Sequence, residues 1–254
     1  MIQNIAFPLA TRLADEAGHI ARKYFGTPMN IISKGDETPV TIADRSIEQK
    51  LRDIIAKERP DDGILGEEFG AVESKSGYTW VIDPIDGTKS FTIGRPTFGT
   101  LIGLCYKDKP ILGIIDQPIL NHRWVGQAGQ KTTFNGKSVS CRPCPTPKDA
   151  IFGTGSATQI SHNDPDRFNR IESATRYTVF QGDCYFYGLM ANGFIDVIVE
   201  DCLGIYDFIA LVPIIEGAGG IITDWTGHPK TIHGDSTIIA AGSKNIHGDI
   251  LKLI

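Results

Sequence analysis

Nothing in this chain reads as a disulfide scaffold, a membrane anchor or a nucleic-acid-coating surface. Its five cysteines (Cys105, Cys141, Cys144, Cys184 and Cys202) are odd in number and scattered, the pattern of reduced thiols rather than of a bridged framework. The N-terminus lacks a basic n-region, an apolar core and a cleavage site, so a cytoplasmic protein is expected. No uninterrupted apolar run approaches the ~20 residues of a spanning helix. The most apolar stretch, FIALVPIIEGAGG, is broken by proline, glutamate and glycines. Positive charge is also in deficit: 25 Lys and Arg stand against 30 Asp and Glu, a net −5, which argues against nucleic acid as a partner. Small phosphorylated metabolites stay possible, because bound cations reverse a local field.

Several motifs are missing or incomplete. The histidines at 19, 122, 162, 228, 233 and 247 show no metal-ligand spacing. Cys141-Arg-Pro-Cys144 has C-x-x-C spacing but no second pair, and a surface loop is expected there rather than zinc or redox work. Gly153-Thr-Gly155-Ser156 lacks the third glycine of a dinucleotide fingerprint and reads as a turn or a substrate edge. The Asp83–Gly87 run fails the EF-hand pattern, and no G-x-S-x-G nucleophile occurs. Internal repeats and low-complexity tracts are absent.

What is present is a layered alternation of elements. Ile5, Leu9, Leu13, Ala17, Ile20 and Phe25 predict an amphipathic helix over 2–25, stopped near Gly26. A short strand is expected at Ile31-Ile32, then a polar loop. A second helix is expected to open at Thr41 with Asp44 as the acid of a capping box, and to bury Ile47, Leu51, Ile54 and Ile55. Glycine-bounded GEEFG (66–70) precedes WVIDPIDGTKSF (80–91), an apolar strand that carries Asp83 and Asp86 and breaks at Gly87-Thr88 into a helix start. FGTLIGLCY, ILGIIDQPIL and HRWVGQAG predict an antiparallel meander. The Pro-rich stretch at 140–150 marks a boundary between an N-terminal α+β lobe (1–142) and a C-terminal α/β lobe (143–254). In the latter, strands and helices alternate up to one long helix over 206–220, ended by Gly219-Gly220.

The chemistry gathers on acids. Glu67, Asp83, Asp86 and Asp207 sit at element edges beside runs that should be buried, and buried acids need protons or cations as partners. Oxygen donors without histidine or cysteine suit Mg²⁺, and a helix start beside them suits a phosphate anion.

Together, GEE (66–68), DPIDGT (83–88) and YDFIALVPIIEGAGG (206–220) closely resemble the signatures of the inositol monophosphatase superfamily, in the same order along essentially the whole chain. The resemblance implies an α/β (α+β) fold of layered αβαβα type, a homodimer, and a lithium-sensitive phosphomonoesterase using two to three Mg²⁺ ions. It places Glu67, Asp83 and the Ile85 carbonyl on one metal, and Asp83, Asp86 and Asp207 on a second. A third, weaker ion would lie near Glu67. Gly87 and Thr88 would hold the phosphate, while Asp44, Thr88 and Glu67 would serve the attacking water. Asp86 would also face the substrate.

The pattern departs from the common one at Lys89-Ser90, Gly94-Arg95-Pro96, Tyr206 and GDCYFYG (182–188). With DQP (116–118) and Arg123-Trp124, these departures resemble the histidinol-phosphate phosphatase branch. Histidinol phosphate is cationic outside its phosphate, which makes Asp183 and Glu200 the expected recognition acids; Asp183 could instead be a helix cap. Inositol 1-phosphate, a nucleotide bisphosphate or fructose bisphosphate are the alternative substrates, and a catalytically silent binding protein is the alternative class.

Overall fold

The structure, a computed structural model, describes residues 3–27 and 39–254. The Ile31-Ile32 strand and the loop after it lie outside the described residues. In chain order the elements are helices α1 (Gln3–Tyr24) and α2 (Pro39–Glu58), strands β1 (Gly63–Gly66), β2 (Gly70–Val72) and β3 (Tyr78–Asp86), and a short helix α3 (Thr88–Thr92). Strands β4 (Gly99–Tyr106), β5 (Lys109–Gln117), β6 (His122–Gln127), β7 (Thr133–Phe134) and β8 (Lys137–Ser138) follow. The rest comprises β9 (Ile151–Thr154), α4 (Ala157–Ile160), α5 (Arg167–Ala174), β10 (Tyr177–Phe180), α6 (Asp183–Ala191) and β11 (Val197–Glu200). It ends with α7 (Ile205–Phe208), α8 (Leu211–Gly217), β12 (Ile221–Thr223), β13 (Ile238–Ala241) and α9 (Lys244–Leu251).

Among the described residues the strands form two sheets, ordered β2-β1-β3-β4-β5-β6-β7-β8 and β10-β9-β11-β13-β12. The expected meander is β4–β5–β6, antiparallel throughout. Alternation along the strands sends successive side chains to opposite faces, and three apolar cores result. Trp80, Ile82, Ile102 and Ile114 face Leu9, Leu13, Ala17, Ile47 and Leu51 of α1 and α2. Their strand neighbours Val81, Leu101 and Ile115 face Tyr187 and Met190 of α6, Ile214 of α8, and Ile198 and Ala240 of the second sheet. Phe152, Val197, Val199 and Ile239 face Ile171, Ile246 and Ile250 of α5 and α9. The order is therefore αβαβα.

Three local expectations need correction. Helix α2 opens at Pro39, not Thr41; proline's fixed φ and missing N–H suit a first helical position, and Asp44 falls in the second turn rather than at the acid position of a capping box. The 206–220 helix is two pieces, α7 and α8, because Pro213 has no N–H to donate back to Ile209 and its ring crowds the preceding turn. Cys141-Arg-Pro-Cys144 is not merely a surface loop: Cys144 is buried in the third core and Cys141 packs against the middle one, both as free thiols.

A row of glycines seats the α7–α8 junction. Gly103, Gly113 and Gly126 are cross-strand neighbours on β4, β5 and β6. A Cβ on Gly113 would run into the Ala210 carbonyl, and one on Gly126 into the Pro213 backbone. Bare backbone on the sheet lets helix backbone rest directly on it.

Candidate active site

Residues three apart on a regular strand point to opposite faces, yet Asp83 and Asp86 come together. Asp83 pairs with Leu101 and Asp86 with Gly99, so β3 carries an extra residue across a register shift within Pro84-Ile85. Such a bulge re-aims a side chain. Asp207 arrives from the third position of α7, where its Oδ2 accepts a hydrogen bond from the Gly204 N–H at 2.7 Å. One carboxylate oxygen from each of Asp83, Asp86 and Asp207 lies within 4.8 Å of the others. Asp86 also accepts from the Cys184 N–H at 2.5 Å. Glu67 is exposed at the edge of the cluster, near enough to raise Asp83 and to be raised by Asp207.

The electrostatics of this cluster call for a cation. Burial, then repulsion from Asp86, Glu67 and Asp207, pushes the Asp83 carboxyl well above its ordinary range. Burial and then Asp207 do the same for Asp86, and burial raises Asp207 and Glu67. Asp44 is pushed up to about 8 by burial and then by Glu67 and Glu68, and its buried Oδ1 has no hydrogen-bond partner. Carboxylates this close ionise together only around positive charge. An oxygen-only donor set with an orphaned carboxylate oxygen fits a hard divalent ion.

The Asp83 Oδ1 accepts from the Ile85 N–H at 3.1 Å, while the Ile85 carbonyl accepts from the Thr88 hydroxyl at 3.3 Å. Gly87, the residue before α3, has φ +81°, and a Cβ there would stand 2.6 Å from the Asp183 side chain. Only glycine meets both conditions. Asp183 does not cap α6 with its side chain; its Oδ2 instead accepts from Ser90 Oγ at 2.6 Å and Thr97 Oγ1 at 2.7 Å. Glu200 is buried, accepts from the Tyr187 hydroxyl at 2.7 Å, and is raised to about 7 by that burial. Asp86, Asp183, Glu200 and Asp207 line one cavity of about 160 Å³ with Gly155, Gln159, Cys184, Tyr187 and Leu203.

One residue escaped the sequence reading. Glu48, buried on α2, accepts from the Glu68 N–H at 2.7 Å and the Phe69 N–H at 3.1 Å, and is paired with Arg52 at 2.7 Å. It therefore fixes the turn that carries Glu67. Its only signal was polarity on the apolar stripe beside Ile47 and Leu51. Glu48→Gln replaces one acceptor with a donor facing an N–H. If Glu67 is a metal ligand, such a loss behind its turn is expected to weaken metal affinity by about 10–100-fold, to be read by calorimetric Mg²⁺ titration. Unchanged affinity would limit Glu48 to packing.

The inositol monophosphatase family model matches residues 5–254. The chain belongs to the inositol monophosphatase family. A bifunctional phosphatase IMPL2, chloroplastic, of Arabidopsis thaliana is 45% identical over 94% of this chain and 72% of its own length. A histidinol-phosphatase of Chlorobaculum parvum is 34% identical over 91% of this chain and 90% of its own. An inositol monophosphatase structure from Zymomonas mobilis superposes with a TM-score of 0.94 at 43% identity, covering 100% of this chain and 98% of the other. The αβαβα order is thus the inositol monophosphatase fold, and the chain is, like these relatives, a phosphoric monoester hydrolase. No helix among the described residues is long and apolar enough to cross a membrane.

Proposed function

We propose that this member of the inositol monophosphatase family is a Mg²⁺-dependent phosphatase of histidinol phosphate, acting by direct attack of water. The observation that carries the substrate reading is the pair of acids, Asp183 and Glu200, in the same cavity as Asp86 and Asp207. A leaving group bearing an ammonium and an imidazole finds carboxylates there. A neutral polyol would leave their charge uncompensated. The histidinol-phosphatase named among its relatives supports the same reading.

In this reading Asp83, Asp86 and Asp207, with Glu67 and the Ile85 carbonyl, would hold two ions, and Glu67 would also serve a third. Magnesium bound there supplies Lewis-acid stabilisation of charge on the phosphoryl group. The Gly87 and Thr88 N–H groups, at the start of α3, hold phosphate oxygens. Thr88 and Asp44 orient the attacking water, the free Asp44 oxygen being available for it. Tyr187 holds Glu200 in its orientation toward the cavity. In-line attack leaves no phospho-enzyme to resolve.

Phosphate release from histidinol phosphate and inositol 1-phosphate, compared at matched concentrations with Mg²⁺, tests the assignment. A kcat/KM ratio of about a hundred or more for histidinol phosphate, about 2.7 kcal/mol, is expected. A preference for inositol 1-phosphate would overturn the substrate and leave the metal reading standing. That second substrate is favoured by the Zymomonas mobilis structure.

A further inference from the structure

A second cluster of metal-ligating residue types lies close in the chain to the cavity residues Gln159, Glu200 and Leu203. His162 follows α4, while Asp201 and Cys202 follow β11. One donor atom from each lies within 4.8 Å of the other two. His162 Nδ1 is 3.1 Å from Asp201 Oδ2, with the Asp201 side chain 4% exposed and the His162 ring 45% exposed. The other Asp201 oxygen is occupied, accepting from the Cys202 N–H at 2.6 Å and Ser236 Oγ at 2.8 Å. The carboxylate is therefore held with one oxygen turned to the histidine. His162 Nδ1 has the Gln159 carbonyl at 3.3 Å, and Cys202 is a free, exposed thiol.

We propose that His162, Asp201 and Cys202 form a zinc-class metal site separate from the Asp83–Asp86–Asp207 cluster. Zinc bonds of about 2.0–2.3 Å place tetrahedral ligands about 3.3–3.8 Å apart, so these three atoms need only small side-chain rotations to surround an ion. A nitrogen, an oxygen and a sulfur donor favour a borderline-soft ion over Mg²⁺, whereas the all-oxygen cluster has the opposite preference. Three protein ligands with two of them exposed leave the fourth position to water. Binding replaces the thiol proton with the ion, so affinity rises with pH. The site also bears on the cavity: Gln159, a lining residue, donates to the Asp201 carbonyl, and an ion would clamp the segment after α4 to the one after β11.

Cobalt(II) is the probe, because thiolate ligation produces an ultraviolet charge-transfer band that oxygen donors do not. Full-length reduced protein saturated with Mg²⁺ is expected to develop this band with one equivalent of Co²⁺ and to lose it on adding Zn²⁺. Cys202→Ser should abolish the band while keeping Mg²⁺-dependent phosphatase activity. His162→Ala should weaken Co²⁺ binding at least about tenfold, since it removes one of three protein ligands. Asp207→Asn should leave the band in place. No band in the parent protein, or a band surviving Cys202→Ser, would overturn the proposal and reduce the three residues to a His162–Asp201 ion pair. The readout is optical and independent of substrate, so its failure is distinct from a failure of the phosphatase reading.

Discussion

Asp207→Asn is expected to lower phosphatase kcat by about a thousandfold or more, about 4 kcal/mol of barrier, while the metal-free protein becomes more stable. The substitution is nearly isosteric. An asparagine carbonyl can still accept from the Gly204 N–H, the bond that starts α7, so the local fold survives. What disappears is one of three carboxylates gathered within 4.8 Å. Without a cation their mutual repulsion opposes folding, and removing one relieves about 1–2 kcal/mol, or about 2–8 °C in Tm for a chain of this size. Steady-state assays at saturating Mg²⁺ and melts in chelator measure the two effects on one preparation. Full activity would sink the metal cluster; a large drop in metal-free stability would show that Asp207 is held for folding instead.

The metal-free protein should also be more stable at pH 5.5 than at pH 8, with Mg²⁺ erasing the difference. The raised carboxyls are Asp44 (about 8), Glu200 (about 7), Asp83, Asp86, Asp207 and Glu67 of the cluster and its surroundings, with Glu68, Asp116 and Glu216 besides. In the unfolded chain they ionise near 4. Between these limits the folded state holds more protons than the unfolded one, so stability falls as pH rises. Asp164, Asp224 and Asp235 are shifted the other way, but their loss of stability comes only at pH values below this window. His247, lowered by burial, opposes the trend modestly between pH 5.5 and 7. A metal-free Tm higher by about 5 °C or more at pH 5.5, flat or reversed with saturating Mg²⁺, is the expected outcome of paired melts. A metal-free Tm rising with pH would mean the carboxyls find protein partners rather than an ion.

The acids were legible because they stand where apolar periodicity breaks. Asp83 and Asp86 follow the Trp80–Ile82 run, Glu67 a glycine, and Asp207 a predicted helix start. What put them on one side was not legible. It depends on the extra residue between Asp83 and Asp86, which is a register fact between two strands and has no signature in either alone. Asp44 was misread as the acid of a capping box for a local reason: Thr41 looks like a cap until Pro39 is found opening the helix. Glu48 was hidden among the stripe residues, since only the returning β1–β2 turn reveals what its oxygens hold. Alternation made a layered α/β second lobe readable, while the full αβαβα order came from the family resemblance, and the split between α7 and α8 needed the consequence of Pro213 drawn to its end.

The glycine row under α7 and α8 bears on which ion the site admits. At Gly113 and Gly126 helix backbone rests on sheet backbone with no intervening side chain to rotate or compress, so Asp207, just ahead of this junction, rides on a stiff support. Magnesium–oxygen bonds are about 2.0–2.1 Å and calcium–oxygen bonds about 2.3–2.6 Å. A carboxylate that cannot retreat by those few tenths of an ångström discriminates by ionic radius. If magnesium is the resident ion, as proposed, its selection over calcium would rest in part on the missing methyl groups of Gly113 and Gly126, where β5 and β6 meet the backbone of Ala210 and Pro213.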